Sequence, residues 1–177
     1  AYTLLDNPDA LGIVLNYSNQ NQKVLTKSKV ELNGQTSKVM NSTTPCVGFI
    51  GAGNYASRTL ISAFKDAGAV LDTLVTSGGI SAVHHGNKNR FSVASTDVND
   101  LWSNDRINTV SIVTRHDAHA QQVVDALKSG KNVFVEKPLA LTLDELDVID
   151  KAYHEAKLRE HAELKKLYEM NEREREE

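Results

Sequence analysis

The chain of 177 residues can bury one substantial core, and its 40% hydrophobic and 24% charged residues are typical of a globular protein. A net charge of −3 gives no basic surface for nucleic acid, and a single cysteine excludes an internal disulfide framework and suits a reducing cytoplasm. The sequence shows no membrane-spanning run and no signal peptide. We therefore expect a cytoplasmic protein without nucleic-acid or membrane partners.

The first 44 residues are predicted to form a tail and a linker ahead of the main domain. A turn at residues 6–9 separates the end of a helix from a buried strand at residues 11–17, which are apolar and β-branched. Ser, Asn, Gln, Thr and Lys dominate residues 18–44, and this composition favours a linker with room for one short strand.

From residue 45 to residue 142, short apolar runs alternate with segments of helical periodicity. Helices are predicted after each of the first four runs, and Gly68 and Gly130 end two of them. The apolar runs predict five strands, at residues 46–50, 70–76, 91–94, 109–113 and 133–135. This alternation predicts an α/β fold, a Rossmann-like doubly wound parallel sheet with strand order 3-2-1-4-5.

The last segment, residues 143–177, contains neither Gly nor Pro and is predicted to form one long helix. Thr142 is expected to cap it, with Glu145 in the capping-box position. Apolar residues recur along it with a roughly helical period. Because this stripe would otherwise face water, we expect the helix to mediate homo-oligomer formation.

A glycine turn directly after the first strand is the strongest functional signal in the chain. Gly51, Gly53 and Ala56 form the pattern Gly-x-Gly-x-x-Ala between a predicted strand and a predicted helix. Gly51 permits the sharp turn, Gly53 lets a pyrophosphate approach the backbone, and Ala56 lets the helix pack on the sheet. Asn54 and Tyr55 open the helix, whose first amides favour an anion. An ordinary glycine turn is the alternative, and the strand–turn–helix context favours dinucleotide binding.

The loops after the other strands are predicted to reach the same edge of the sheet. Ser77 follows the second strand, where an acidic residue would hold the adenosine ribose of NAD, and it could bond a ribose hydroxyl or a 2′-phosphate. A plain turn is equally compatible with this loop, and the choice between NAD and NADP stays open. Residues 114–119 follow the fourth strand, and residues 136–138 follow the fifth.

Three motifs, at residues 51–56, 114–119 and 130–140, resemble the glucose–fructose oxidoreductase/inositol dehydrogenase family, Gfo/Idh/MocA. The resemblance covers about residues 45–157. It implies NAD or NADP as cofactor, a sugar- or cyclitol-like alcohol as substrate, and dehydrogenase chemistry with Lys137 as catalytic residue beside the nicotinamide. Arg115 and His116 depart from the family pattern. The implied cofactor-binding residues are Gly51, Gly53, Asn54, Tyr55, Ala56, Ser77, Thr114, Arg115, His116, His119, Glu136, Lys137 and Pro138.

The N-terminal tail has a second, shorter resemblance. Residues 1–5 and 11–15 are similar to the closing helix and strand of zinc-dependent medium-chain alcohol dehydrogenases. Some large bacterial proteins join such a module to a Gfo/Idh/MocA-like module. The resemblance therefore implies a piece that spans the junction of two modules.

The residues after 142 leave three hypotheses open. In the family, a second α/β domain follows and supplies a catalytic histidine, whereas His154 and His161 here lie on a charged helix without the surrounding pattern. The chain is then a fragment of an oxidoreductase that is inactive alone, a non-catalytic dinucleotide-binding regulatory module, or an interaction module. No Cys/His set has zinc spacing, so we expect no metal.

Overall fold

The computed structural model describes residues 27–32 and 44–176. The predicted strand at residues 11–17 and the tail that resembles alcohol dehydrogenases lie outside these ranges. No helix in the described ranges has the length and apolar character needed to cross a membrane.

A six-stranded sheet forms the centre of the fold, in the order β1-β4-β3-β2-β5-β6. The five strands from β2 onward run parallel and have the predicted order, while β1 pairs antiparallel with β4 at one edge. Strand β1 lies within the segment predicted to be a linker. The strands are β1 (Lys29–Glu31), β2 (Cys46–Ile50), β3 (Val70–Val75), β4 (Val93–Ser95), β5 (Thr109–Ile112) and β6 (Asn132–Val135).

Helices connect the parallel strands, as the alternating pattern predicts. The first begins with a π-helical turn at Ala56–Leu60, which continues as α1. Gly68 and Gly130 end helical segments with φ of +89° and +69°, a conformation that glycine adopts without a steric penalty. The helices are α1 (Ile61–Asp66), α2 (Gly79–Asn89), α3 (Asn99–Trp102), α4 (His116–Lys128) and α5 (Leu143–Glu176).

The central strand β2 sends alternate side chains into two hydrophobic clusters. Cys46 and Ile50 belong to a cluster with α4 and α5, and Val47 and Phe49 belong to one with α1 on the other face. Because both faces of the sheet are covered, every residue of β2 is buried. Burial raises the pKa of the Cys46 thiol to about 11.

Helix α5 is capped as the sequence predicts. The Glu145 backbone N–H donates to Thr142 Oγ1 (3.2 Å), and Glu145 Oε2 accepts from the N–H of Leu141 (2.7 Å). Ile149 and Ala152 are buried against the domain, and Arg159 Nη2 donates to the carbonyl oxygen of Leu127 at 2.8 Å.

Beyond residue 159, every α5 side chain that the structure describes is exposed. At 1.5 Å per residue, the 34-residue helix is about 51 Å long, and roughly its second half stands free of the domain.

Candidate functional site: a dinucleotide-binding edge

Four loops leave the sheet at one edge, beyond the carboxyl ends of the parallel strands. Backbone hydrogen bonds extend the strand pairing into the first residue after each of four strands, which fixes where the loops begin. In each bond a backbone N–H donates to a carbonyl oxygen of the neighbouring strand. The four donor–acceptor pairs are Gly51–Val75 (2.8 Å), Thr76–Ser95 (3.1 Å), Val113–Ile50 (2.9 Å) and Glu136–Ile112 (3.0 Å). Open parallel sheets bind ligands at this edge.

The two glycines of the turn differ in what surrounds them. Gly51 has φ of +104°, and a Cβ there would lie 2.6 Å from the carbonyl oxygen of Val113. A Cβ on Gly53 would meet no heavy atom within 4 Å. Gly51 is therefore required by the fold itself, whereas the space beside Gly53 is open to a ligand.

The helix that follows the turn presents its first amide groups to this open space. Asn54 and Tyr55 are exposed, and Tyr55 retains 53% of its accessible surface. Ser57 is the first residue whose N–H bonds back within the helix, to the carbonyl oxygen of Gly53 at 2.9 Å. The earlier amides have no carbonyl within the helix to pair with, and a helix N-terminus of this kind attracts phosphate. Ala56 is buried, which lets the helix approach the sheet.

The loop after β3 is a tight turn that leads into α2. Thr76 Oγ1 donates to the carbonyl oxygen of Gly78 at 2.7 Å, and Ser77 is exposed at the tip. The hydroxyl of Ser77 can donate to or accept from a ribose or a phosphate oxygen. The loop carries no carboxylate that would repel a 2′-phosphate.

A buried histidine joins the loops after β5 and β6. His119 has no exposed surface, and its Nδ1 lies 2.8 Å from the carbonyl oxygen of Pro138. Its Nε2 lies 3.2 Å from the carbonyl oxygen of Thr114. Because both ring nitrogens lie against carbonyl oxygens of these segments, His119 links the two loops, and its predicted contact with a cofactor stays a prediction.

The exposed side chains of these two loops face solvent at the same edge. Arg115, His116 and Lys137 are exposed, while Glu136 and Pro138 are half-buried. Arg115 lies 4.0 Å from Asp117, and both side chains are largely exposed, so this ion pair adds little stability.

Two features escaped the sequence reasoning. Gln122 fixes Thr114, whose Oγ1 donates to Gln122 Oε1 at 2.7 Å; the spacing of eight residues carries no recognisable motif. At the opposite edge of the sheet, the buried carboxylate of Asp72 accepts from Asn104 Nδ2 (2.8 Å) and lies 3.2 Å from Arg106. This second group is structural and lies away from the four loops.

The adjacent residues His84 and His85 lie on α2 with ring centroids 4.9 Å apart. Burial, with smaller contributions from His84 and Lys88, lowers the pKa of His85. Within residues 27–32 and 44–176, no group of three or more His, Cys, Asp or Glu side chains is placed to hold a metal ion.

Comparison with known proteins identifies the chain as related to oxidoreductases. Residues 46–164 match the model of the Gfo/Idh/MocA oxidoreductase family, which has an NAD-binding Rossmann fold. A 1,5-anhydro-D-fructose reductase from Ensifer adhaerens is 28% identical over 98 residues, which are 55% of this chain and 29% of that protein. Oxidoreductase P35 from Formosa agariphila is 31% identical over 106 residues, 59% of this chain and 33% of that protein.

Solved structures show the same fold. KijD10, a 3-ketoreductase from Actinomadura kijaniata solved with TDP-benzene and NADP, superposes with a TM-score of 0.60 at 20% identity, covering 64% of this chain and 36% of that one. A putative NADPH-dependent oxidoreductase from Desulfitobacterium hafniense gives a TM-score of 0.61 at 23% identity, covering 66% of this chain and 33% of that one. The chain thus spans about a third of the length of these relatives.

Proposed function

Because the chain belongs to the Gfo/Idh/MocA oxidoreductase family, we propose that it is the cofactor-binding part of an enzyme that transfers hydride between NAD(P) and a sugar-like alcohol or ketone. The observation that carries the proposal is the edge where four loops meet. There the open space beside Gly53 faces the first amides of the following helix.

The residues at this edge fit the parts of a dinucleotide. The backbone at Gly53 and the amides of Asn54 and Tyr55 would hold the pyrophosphate, because a helix N-terminus carries partial positive charge. Ser77 would bond the adenosine ribose or a 2′-phosphate. The nicotinamide half would lie along the loops at residues 114–116 and 136–138, which His119 holds together. When bound, the nicotinamide supplies or accepts the hydride.

Lys137 is the residue that we propose for proton handling at the substrate hydroxyl. It is exposed in the loop after β6, and Glu136 next to it is fixed by a backbone bond to Ile112 at 3.0 Å. Its ammonium group can donate a hydrogen bond to a substrate oxygen at this edge, which favours the alkoxide-like charge that develops as hydride moves.

The substrate class rests on the relatives. One is named a 1,5-anhydro-D-fructose reductase, and KijD10 is named a 3-ketoreductase in its complex with TDP-benzene and NADP. Both names describe reduction of a carbonyl group. We therefore infer that the parent enzyme acts on a sugar-like alcohol or ketone, with either NAD or NADP.

We further infer that this chain binds cofactor but does not turn over alone. Oxidation of an alcohol needs a positioned base and a pocket that holds the reacting carbon near the nicotinamide. Helix α5 starts beside the loop at residues 136–141 and passes Leu127, at the opposite end of α4. It therefore runs away from the edge where a substrate would have to be enclosed.

Two assays on the same chain test the proposal. Calorimetric titration with NAD and with NADP should give binding of at least one cofactor, and absorbance of the reduced nicotinamide should stay unchanged with a panel of sugars and cyclitols. Absence of binding by both cofactors would refute the cofactor-binding function. Sustained turnover would contradict the inactivity of the isolated chain while leaving cofactor binding in place.

A further inference from the structure

A groove of about 650 Å³ lies between β6 and α5, along the side of the domain. Its walls are mainly apolar and include Val133, Val135, Leu139, Leu146, Ile149 and Tyr153. Among the described strands, β6 pairs only with β5, so its other edge is unpaired, and Val133 and Val135 of the same strand line the groove. An uncovered strand edge beside apolar side chains favours association with another polypeptide.

The exposed apolar residues of α5 continue this surface beyond the domain. At 3.6 residues per turn, Leu143, Leu146, Tyr153 and Leu164 fall on one face of the helix, the face that lines the groove. Their exposed fractions are 79%, 43%, 47% and 59%. We call these four residues the α5 stripe. Its length exceeds the part of the helix that packs on the domain, so the domain itself cannot cover it.

Charge along α5 is segregated in a way that specifies how a partner helix would lie. Residues 143–155 contain five acidic residues and one basic residue, whereas residues 157–166 contain four basic and two acidic residues. An antiparallel pair of α5 helices places the acidic segment of each against the basic segment of the other. A parallel pair would place like charges together, which is unfavourable.

The same register brings Asp150 and Lys157 of the two copies together, in addition to their partners within one helix, His154 at 3.5 Å and Glu160 at 2.7 Å. Asp150 and Lys157 both line the groove, and they lie symmetrically on either side of Tyr153 and His154. A two-fold axis between Tyr153 and His154 places Asp150 opposite Lys157 of the second copy, twice by symmetry. It also places Leu143 opposite Leu164 of the second copy.

We propose that the occupant of this surface is a second copy of the chain, bound through an antiparallel α5–α5 contact centred on Tyr153. The contact combines the α5 stripe with two symmetry-related Asp150–Lys157 pairs. The contact is argued from α5 and the groove alone, so the proposal does not rest on cofactor binding.

Analytical ultracentrifugation of the full chain, over micromolar to millimolar concentrations, tests this contact. We expect a monomer–dimer equilibrium for the wild type. Lys157→Glu should weaken dimerisation by at least about tenfold, because it sets a glutamate against Asp150 at two positions. Lys151→Glu is the matched control, since it makes the same charge change on a different face of the helix, and it should leave the dimer intact. Circular dichroism checks that both variants keep their helix content.

A double variant that combines Asp150→Lys with Lys157→Glu completes the test. It should restore dimerisation, because the two charges exchange places and opposite signs again face each other across the contact. A wild-type chain that stays monomeric at every concentration would overturn the proposal, and the groove would then have to accept a different polypeptide. Equal weakening by Lys151→Glu and Lys157→Glu, or failure of the double variant to restore the dimer, would also overturn it.

Discussion

Replacing Gly53 with valine should abolish or strongly weaken dinucleotide binding while leaving the fold intact. A Cβ at this position meets no heavy atom within 4 Å, and the backbone there does not need positive φ. The new side chain would therefore occupy the space proposed for the pyrophosphate without disturbing the protein. Each hydrogen bond to a charged phosphate is worth about 1.5–3 kcal/mol. Loss of one such bond should raise Kd about 10- to 100-fold.

Gly51 provides the contrasting control within the same turn. Alanine there would combine φ of +104° with a contact of 2.6 Å between its Cβ and the carbonyl oxygen of Val113. Strain and overpacking together should cost about 3 kcal/mol. In a chain of this size, that loss corresponds to a Tm lower by about 6–12 °C. Gly53→Val should leave Tm nearly unchanged.

Calorimetric titration with NAD and NADP, paired with thermal unfolding, separates the two effects. Gly53→Ala should bind with intermediate affinity, since its side chain is smaller than that of valine. If Gly53→Val binds both cofactors as tightly as the wild type, the glycine turn does not contact the ligand. If its Tm falls as far as that of Gly51→Ala, the open space beside Gly53 is misassigned.

Three further substitutions probe other parts of the structure. His119→Phe keeps a ring of similar size but removes the ring nitrogens that lie against the carbonyl oxygens of Thr114 and Pro138, so Tm should fall and cofactor Kd should rise several-fold, measured by the same titration. Asp72→Ala should lower the free energy of unfolding in urea by about 1–3 kcal/mol, because Thr73 and Asn104 lose the carboxylate oxygen that accepts their hydrogen bonds, and an unchanged midpoint would contradict this. The folded protein retains the Cys46 proton to a pKa of about 11, against 9.0 for a free thiol, so stability should fall by about 2 kcal/mol as pH rises from 9 to 11. The Cys46→Ala variant has no thiol to ionise, so its stability should not show this decrease of about 2 kcal/mol between pH 9 and pH 11.

The parallel part of the sheet could be predicted because its signals are local and strong. Strands β2 and β5 are apolar or β-branched, and Gly68 and Gly130 mark the ends of helices. The position of strand β1 could not be predicted, since it has three residues, Lys29–Glu31, that are all exposed. Its conformation follows from pairing with β4, and pairing partners are not encoded in a local pattern.

Part of the proposed cofactor site could be predicted from the sequence for a similar reason. Gly51 and Gly53 would act through their own backbones in the proposed site, so a short motif is enough to predict them. The burial of His119 depends on two loops that are distant from each other along the chain, although its position four residues before Val123 places it on the buried face of α4. The Asp72 group joins residues from β3 and the segment before β5, and no short motif links them.

Helix α5 connects the two surfaces that we propose for cofactor binding and for self-association. It begins next to the loop that holds Lys137 and passes the end of α4, where Arg159 bonds to the carbonyl oxygen of Leu127. The α5 stripe therefore extends away from the four-loop edge, and no residue proposed to contact the dinucleotide belongs to it. A ligand changes association only if it binds monomer and dimer with different affinity. In the proposed antiparallel register, the second copy's α5 beyond Leu164 passes Leu143 on the side of the loop that holds Lys137. Titration of cofactor into the wild type and into Lys157→Glu therefore tests whether self-association changes cofactor affinity, and equal Kd values would show that it does not.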